Sequence, residues 1–192
     1  WRSKLMTPIL GIMASQISGH LTPPEILAVG HGGAPYISAY QFTAATGFGT
    51  KYSDPAVLPG SEASSVVFNF DNTAVIANGG TSPYMNGSPW DAASGFGTRY
   101  SNPGTLPQGP GQGVAFNPAG TVIGVSGYNS PILSLYPFNV STGYGTKYAN
   151  PTPSSGTGGM GIAFNPAGTV VAVAAWDSPR VLAWPWTGSS FG

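Results

Sequence analysis

The sequence predicts an all-β fold, a β-propeller of four-stranded blades, each 48 residues long, with about 3.5–4 blades in the chain. Three observations predict it. First, "TGFGTKYSDP" (Thr46–Pro55) returns as "SGFGTRYSNP" (Ser94–Pro103) and "TGYGTKYANP" (Thr142–Pro151), with Gly47, Gly95 and Gly143 at intervals of 48. Second, whole columns recur at that interval: Phe42, Trp90, Phe138 and Trp186; Pro35, Pro83, Pro131 and Pro179; Asn69, Asn117 and Asn165. Third, each period breaks into four short strand-like pieces separated by turn residues. No stretch sustains the apolar period of a helix.

The third period shows the pieces in order. "GVAFNPAG" (Gly113–Gly120) alternates apolar residues and predicts the innermost strand, crowded at the axis. "TVIGVSG" (Thr121–Gly127) is short and β-branched. "ILSLYPF" (Ile132–Phe138) alternates and carries a proline near its end. "GYGTKYAN" (Gly143–Asn150) is more polar and predicts the outer strand, a sheet edge. Its column holds the repeating charge, Lys51, Arg99 and Lys147, which discourages pairing with foreign strands. The aromatic column of Phe42, Trp90, Phe138 and Trp186 is expected to fill the space between blades. Blade units fall at about 25–55, 56–103, 104–151 and 152–192, after an N-terminal anchoring leader of residues 1–24. The first unit begins at its second strand. Either "LGIMASQ" (Leu10–Gln16) supplies its inner strand, or the chain belongs to a larger ring, made from a longer protein or from copies of itself.

Composition narrows the function. Six Lys+Arg balance six Asp+Glu, and only 6% of residues are charged. So little like-charge repulsion favours life in an assembly. The absence of a basic stripe argues against a nucleic-acid partner. There is no cysteine, so disulfides and thiolate metal sites are excluded. No apolar run reaches the ~18 residues of a membrane span, and no membrane partner is expected. Gly (29) and Pro (19) make up a quarter of the chain. With this periodicity they are read as turns and not as disorder.

Chemistry-bearing residues are few. His31 stands where other periods have Gly79, Gly127 and Ala175, and no ligand set surrounds it. Asp54 and Asp71 align with turn residues, and no carboxylate pair falls together. "GFGTKY" precedes no helix, so it is not a phosphate loop. No catalytic residue, metal site or cofactor is expected. The loops between second and third strands are expected to share a face with the links between blades. There Tyr36, Tyr84, Tyr128 and Trp176, with Asp177 and Arg180, form the candidate ligand-binding set.

"VAFNPAGTVIGVSG" resembles the strand–turn–strand core of WD-repeat and lactonase-like propellers. It departs from them where Ala119 and Ala167 take the usual Asp place, and no His/Asp tetrad can be placed. The longer phrase "GFGTKYSDP…VAFNPAGT…SPY…PW" is similar to a repeat of tailed-bacteriophage virion proteins. "PILGIMASQISGHL" (Pro8–Leu21) is similar to the leaders of phage minor structural proteins. The resemblance implies a non-enzymatic structural or adhesion component of a virion, such as a tail fibre or decoration protein. Its partners would be other virion subunits or copies of itself. It would be located on the particle surface or otherwise be extracellular. The alternative is a lectin-like propeller that recognises a host surface glycan; a host surface glycan or protein is the further partner expected. A lactonase-like enzyme ranks third.

Overall fold

The computed structural model describes residues 25–152 and 157–192. The leader, its phage resemblance and the strand expected at Leu10–Gln16 lie outside these residues. Four antiparallel sheets follow one another along the chain, each formed by consecutive strands. The first contains β1 (Glu25–Gly30), β2 (Ile37–Thr43) and β3 (Gly47–Lys51). The second contains β4 (Val66–Phe68), β5 (Ala74–Asn78), β6 (Met85–Asp91) and β7 (Gly95–Phe96). The third contains β8 (Gly111–Phe116), β9 (Val122–Gly127), β10 (Leu133–Asn139) and β11 (Gly143–Tyr144). The fourth contains β12 (Gly159–Phe164), β13 (Val170–Ala175) and β14 (Val181–Pro185). An isolated bridge from Trp186 to Phe191 occupies the outer-strand place of the fourth sheet. No helix occurs among the described residues.

The repeated asparagine makes the turn between the inner two strands. Asn117 Oδ1 accepts from the amides of Thr121 and Val122, each at 2.9 Å. Asn69 and Asn165 repeat that clamp one period before and after. The turn needs a left-handed residue three positions on, and Gly120 and Gly168 supply it at φ 69°. In the second sheet Asn72 takes that place at φ 53°, which a short polar side chain tolerates.

The outer strand differs from the expected Gly143–Asn150. Regular pairing stops at Tyr144, because β10 carries Pro137 at the next position. Gly145 N still donates to Pro137 O at 2.8 Å, but proline has no N–H to return the bond. Pro89 does the same in the second sheet. The first sheet has Gln41 in that column, and there β3 extends to five residues.

The sheets are held together by side chains from the repeated phrase. Tyr52 Oη donates to Ala92 O at 2.8 Å, and Tyr100 Oη to Val140 O at 2.7 Å. Each bond leaves one sheet's outer edge and ends on the next sheet, 40 residues on. The same rings meet the aromatic column edge-on: Tyr52 on Trp90 at 4.8 Å, Tyr100 on Phe138 at 5.5 Å, Tyr148 on Trp186 at 4.9 Å. Trp90, Phe138 and Trp186 therefore fill the gaps between blades as the sequence predicts, whereas Phe42 is half-buried and meets Phe48 of its own sheet. The cationic residues of the phrase close back locally. Lys51 pairs with Asp54 at 2.6 Å, Arg99 donates to Asn102 at 2.6 Å, and Lys147 donates to Asn150.

Three tyrosines, Tyr100, Tyr136 and Tyr144, give the fold an alkaline limit. Burial pushes the Tyr100 hydroxyl up from 10.0 to about 12. Burial also raises Tyr136, and Tyr144 despite the opposing pull of Arg99 beside it. Between the unfolded and folded values the unfolded chain releases protons that the fold retains. The stability contributed is complete below pH 10 and is lost as pH rises through 12. Denaturant midpoints should hold to about pH 10 and then fall, with phenolate absorbance appearing together with unfolding.

Candidate functional site

The loops after the second strands and the links between sheets share one face, knitted by backbone bonds. Ala63 N donates to His31 O at 3.3 Å, Gly80 N to Glu62 O at 3.3 Å, and Gly111 N to Gly79 O at 3.1 Å. Tyr128 N reaches Pro110 O at 3.0 Å, Gly158 N reaches Tyr128 O at 2.7 Å, and Trp176 N reaches Gly158 O at 2.8 Å. Every described loop and link on this face is thus tied to the next.

The six candidate residues split between two ends of these loops. Tyr36 and Tyr84 share one column, half-buried. Both sit at positive φ, 68° and 66°, an outlying conformation for a bulky residue. Their columnar successors are Ile132, buried at 1%, and Arg180. Tyr128 and Trp176 belong to a different column and are 53% and 65% exposed. The Asp177 carboxylate accepts from the Thr157 hydroxyl, while the Arg180 guanidinium turns back onto Trp176 O. The face holds all six, but its exposed rings come from the third and fourth sheets alone.

The pair that the sequence did not reveal lies on the first sheet. His31 Nε2 is 3.1 Å from Ser38 Oγ. The turn places them there: Val29 pairs with Ser38 across β1 and β2, and His31 N is held by Tyr36 O at 2.9 Å. Ser38 is 7% exposed, whereas His31 is half-buried. Glu62, exposed, stands in the link bonded to His31. The amides of Gly32 and Gly33, in an exposed stretch, donate to no group among the described residues. A cleft of about 30 Å³ between the first and second sheets, lined by Val75 and Arg99 among others, has room for water and not for a substrate. Among the described residues no three His, Cys, Asp or Glu gather into a metal-binding group.

No protein-family model matches the sequence, and no curated protein matches it. Solved structures do. A crystal structure of a protein from Lactobacillus plantarum superposes with a TM-score of 0.72 at 18% identity, over 94% of this chain and 54% of that one. A crystal structure of a "putative 6-phosphogluconolactonase" from Bacteroides uniformis superposes with a TM-score of 0.59 at 13% identity, over 86% of this chain and 51% of that one. The chain spans about half the length of either.

The expectation of a non-enzymatic virion fibre, decoration or glycan-adhesion protein is corrected by these neighbours. One of them is named a putative 6-phosphogluconolactonase, and neither is named a phage structural protein. The phrase behind that expectation has a structural explanation: it builds the outer edge and the tie between blades, which any propeller with this packing needs. The resemblance of the strand–turn–strand core to lactonase-like propellers is the one that agrees with the neighbours in fold. What the superpositions show for this chain is its fold: four antiparallel sheets of a β-propeller.

Proposed function

We propose that the chain is the site-bearing part of a lactonase-like hydrolase that opens an uncharged sugar lactone at the His31 end of the loop face. The observation that carries this is the His31–Ser38 pair at 3.1 Å beside the Gly32–Gly33 amides. With its Nε2–H donated to Ser38 Oγ, the imidazole keeps the Nδ1 lone pair for a water proton. The water oxygen then bonds to the lactone carbonyl carbon, and the two glycine amides, which no described group accepts from, are the donors offered to the oxygen on which charge develops. The ring C–O bond breaks, and the leaving alkoxide takes the proton back from the imidazolium. Ser38 is buried, which favours its role as the group that orients the ring over a role as nucleophile.

The lactonase-named neighbour suggests a phosphorylated sugar lactone, but the local charge favours a neutral one. Among the described cations, Lys51, Arg99 and Lys147 lie on the outer-edge phrase, with Lys51 paired to Asp54, and Arg180 lies on the fourth sheet's loop. None lies in the loops around His31, where Glu62 is the charged residue. The exposed rings of Tyr128 and Trp176 remain candidates for contact with the sugar body on the same face.

The test is lactone hydrolysis followed by pH-stat with the whole chain. A δ-gluconolactone is expected to open faster than its spontaneous rate and faster than its 6-phosphate. His31→Ala should lower the enzymatic rate by about 100-fold, as expected for loss of a general base. No acceleration of either lactone overturns the proposal, and so does an unchanged rate in a folded His31→Ala variant.

A further inference from the structure

Four departures from the repeat meet around one strand of the second sheet. Gly87 stands where other periods have Ala39, Leu135 and Ala183. A Cβ there would fall 2.2 Å from Ile76 Cδ1 and 2.5 Å from Tyr144 Oη, so the glycine makes room for that hydroxyl. Tyr144 replaces the phenylalanine of its column, Phe48 and Phe96, and its Oη is buried with no partner among the described residues. Arg99 replaces Lys51 and Lys147. Its Nη2 donates to the uncharged Asn102, whereas Lys51 is paired with the carboxylate of Asp54. Its Nε is buried and unpartnered, and the guanidinium lies beside the Tyr144 hydroxyl. Asn86 shares a column with Ser38, Ser134 and Leu182. It is 8% exposed, and its Nδ2 is also buried without a partner. Asn86, Gly87 and Arg99 all line the cleft of about 30 Å³ between the first and second sheets. Ile37, Val57 and Phe96 belong to the apolar part of its wall, and no acidic residue lines it.

We propose that this cleft binds one small monovalent anion of the halide class, such as chloride. Arg99 Nε and Asn86 Nδ2 are N–H donors with nothing in the chain to accept from them, and the Tyr144 hydroxyl is a third donor against Gly87. A water molecule could accept such bonds, but it would leave the guanidinium without a counter-charge in a largely apolar wall. An anion supplies both, through charge-assisted hydrogen bonds. Size sets the rest of the selectivity. A cleft with room for about a water or two admits a monatomic anion and excludes a phosphate or a sugar acid. Because the donors come together only in the folded chain, binding stabilises the fold by mass action. The site does not depend on the hydrolase reading.

The test is the nuclear magnetic resonance line width of chloride in the presence of the whole chain. The expected result is excess broadening that bromide competes away. Methanesulfonate, monovalent but too large for the cleft, should not compete. Arg99→Gln should weaken chloride binding by about tenfold or more, the loss expected when a hydrogen bond to a charged group is removed. Lys51→Gln removes a cation of the same column outside the cleft and should leave binding unchanged. Lys51 is exposed and Arg99 half-buried, so each variant should keep the β-sheet circular dichroism of the parent. A parent that gives no excess broadening overturns the proposal. So does equal competition by methanesulfonate, or equal weakening by Lys51→Gln, since either result describes diffuse attraction to surface cations. The size selectivity is read on the parent alone, so it decides the outcome even where Arg99→Gln fails to fold. The readout is ion binding and not hydrolysis, so its failure leaves the lactonase reading standing.

Discussion

Trp90→Ala should destabilise the chain by about 3–5 kcal/mol, the range for deleting a large buried ring. The indole is 4% exposed at the seam between the first and second sheets. Three rings meet it edge-on: Tyr52 at 4.8 Å, Phe96 at 4.9 Å and Phe68 at 5.2 Å. Such pairs contribute about 0.5–1.5 kcal/mol each beyond the area they bury. Tyr52 also carries the hydrogen bond to Ala92 O, so an empty space at Trp90 loosens the polar tie with the apolar one. Trp90→Phe should cost far less. Phenylalanine is what the next period uses at Phe138, and the buried indole N–H of Trp90 has no partner to lose. Trp176→Ala is the control, because a ring 65% exposed should shift stability by no more than about 0.5 kcal/mol. Urea midpoints at constant slope measure all three. If Trp90→Ala cost less than Trp90→Phe, the seams between sheets would not be what holds the stack.

That seam was legible in the sequence because a repeat makes packing visible. A ring that returns every 48 residues must occupy equivalent space each time, and Trp90, Phe138 and Trp186 do so at 4%, 6% and 3% exposure. The Asn-x-x-Gly turn was legible for the same reason. The length of the outer strand was not, because it depends on whether the neighbouring strand can return a hydrogen bond. Pro89 and Pro137 cannot, whereas Gln41 keeps its N–H and the first sheet's pairing resumes beyond it at Tyr40 and Lys51. The tyrosine of "GFGTKY" read as part of an edge strand, whereas its hydroxyl reaches the next sheet, a contact that no local pattern encodes.

The candidate site was less legible because its residues depart from the repeat. His31 was visible as a departure, replacing a glycine or alanine of its column. Its partner Ser38 was not, since its column runs Ser38, Asn86, Ser134 and Leu182 and gives no consistent signal. The pairing exists only through the register of β1 on β2. Tyr128 and Trp176 lie in the loops after the second strands of the third and fourth sheets. Tyr36 and Tyr84 were grouped with them by residue type, although they occupy another column and another degree of burial.

Asn78 left no trace in that reading, yet its removal should rank with Trp90→Ala. The residue is 0% exposed at the end of β5. Its Oδ1 accepts from both Ser64 N and Ser65 N at 2.9 Å, where the link enters the inner strand β4. Ser65 in turn accepts from Val114 N at 3.3 Å on the third sheet. Asn78→Ala strands two amides, one of them buried, each at a cost of about 1–3 kcal/mol, and leaves a void, so a loss of about 3 kcal/mol or more is expected. Asn86 lies opposite Ala77 on the neighbouring strand and offers the comparison. It is also buried, but its Nδ2 has no partner, so Asn86→Ala removes an unsatisfied group and should cost at least about 2 kcal/mol less. Equal midpoints for the two variants would mean that burial alone matters at these positions. A large gap would identify Asn78 as the clamp that seats residues 62–65. That link donates from Ala63 to His31 O, so the clamp and the candidate site would then be mechanically one piece. Lactone hydrolysis by Asn78→Ala, assayed below its unfolding midpoint, should accordingly fall while Asn86→Ala stays near the parent.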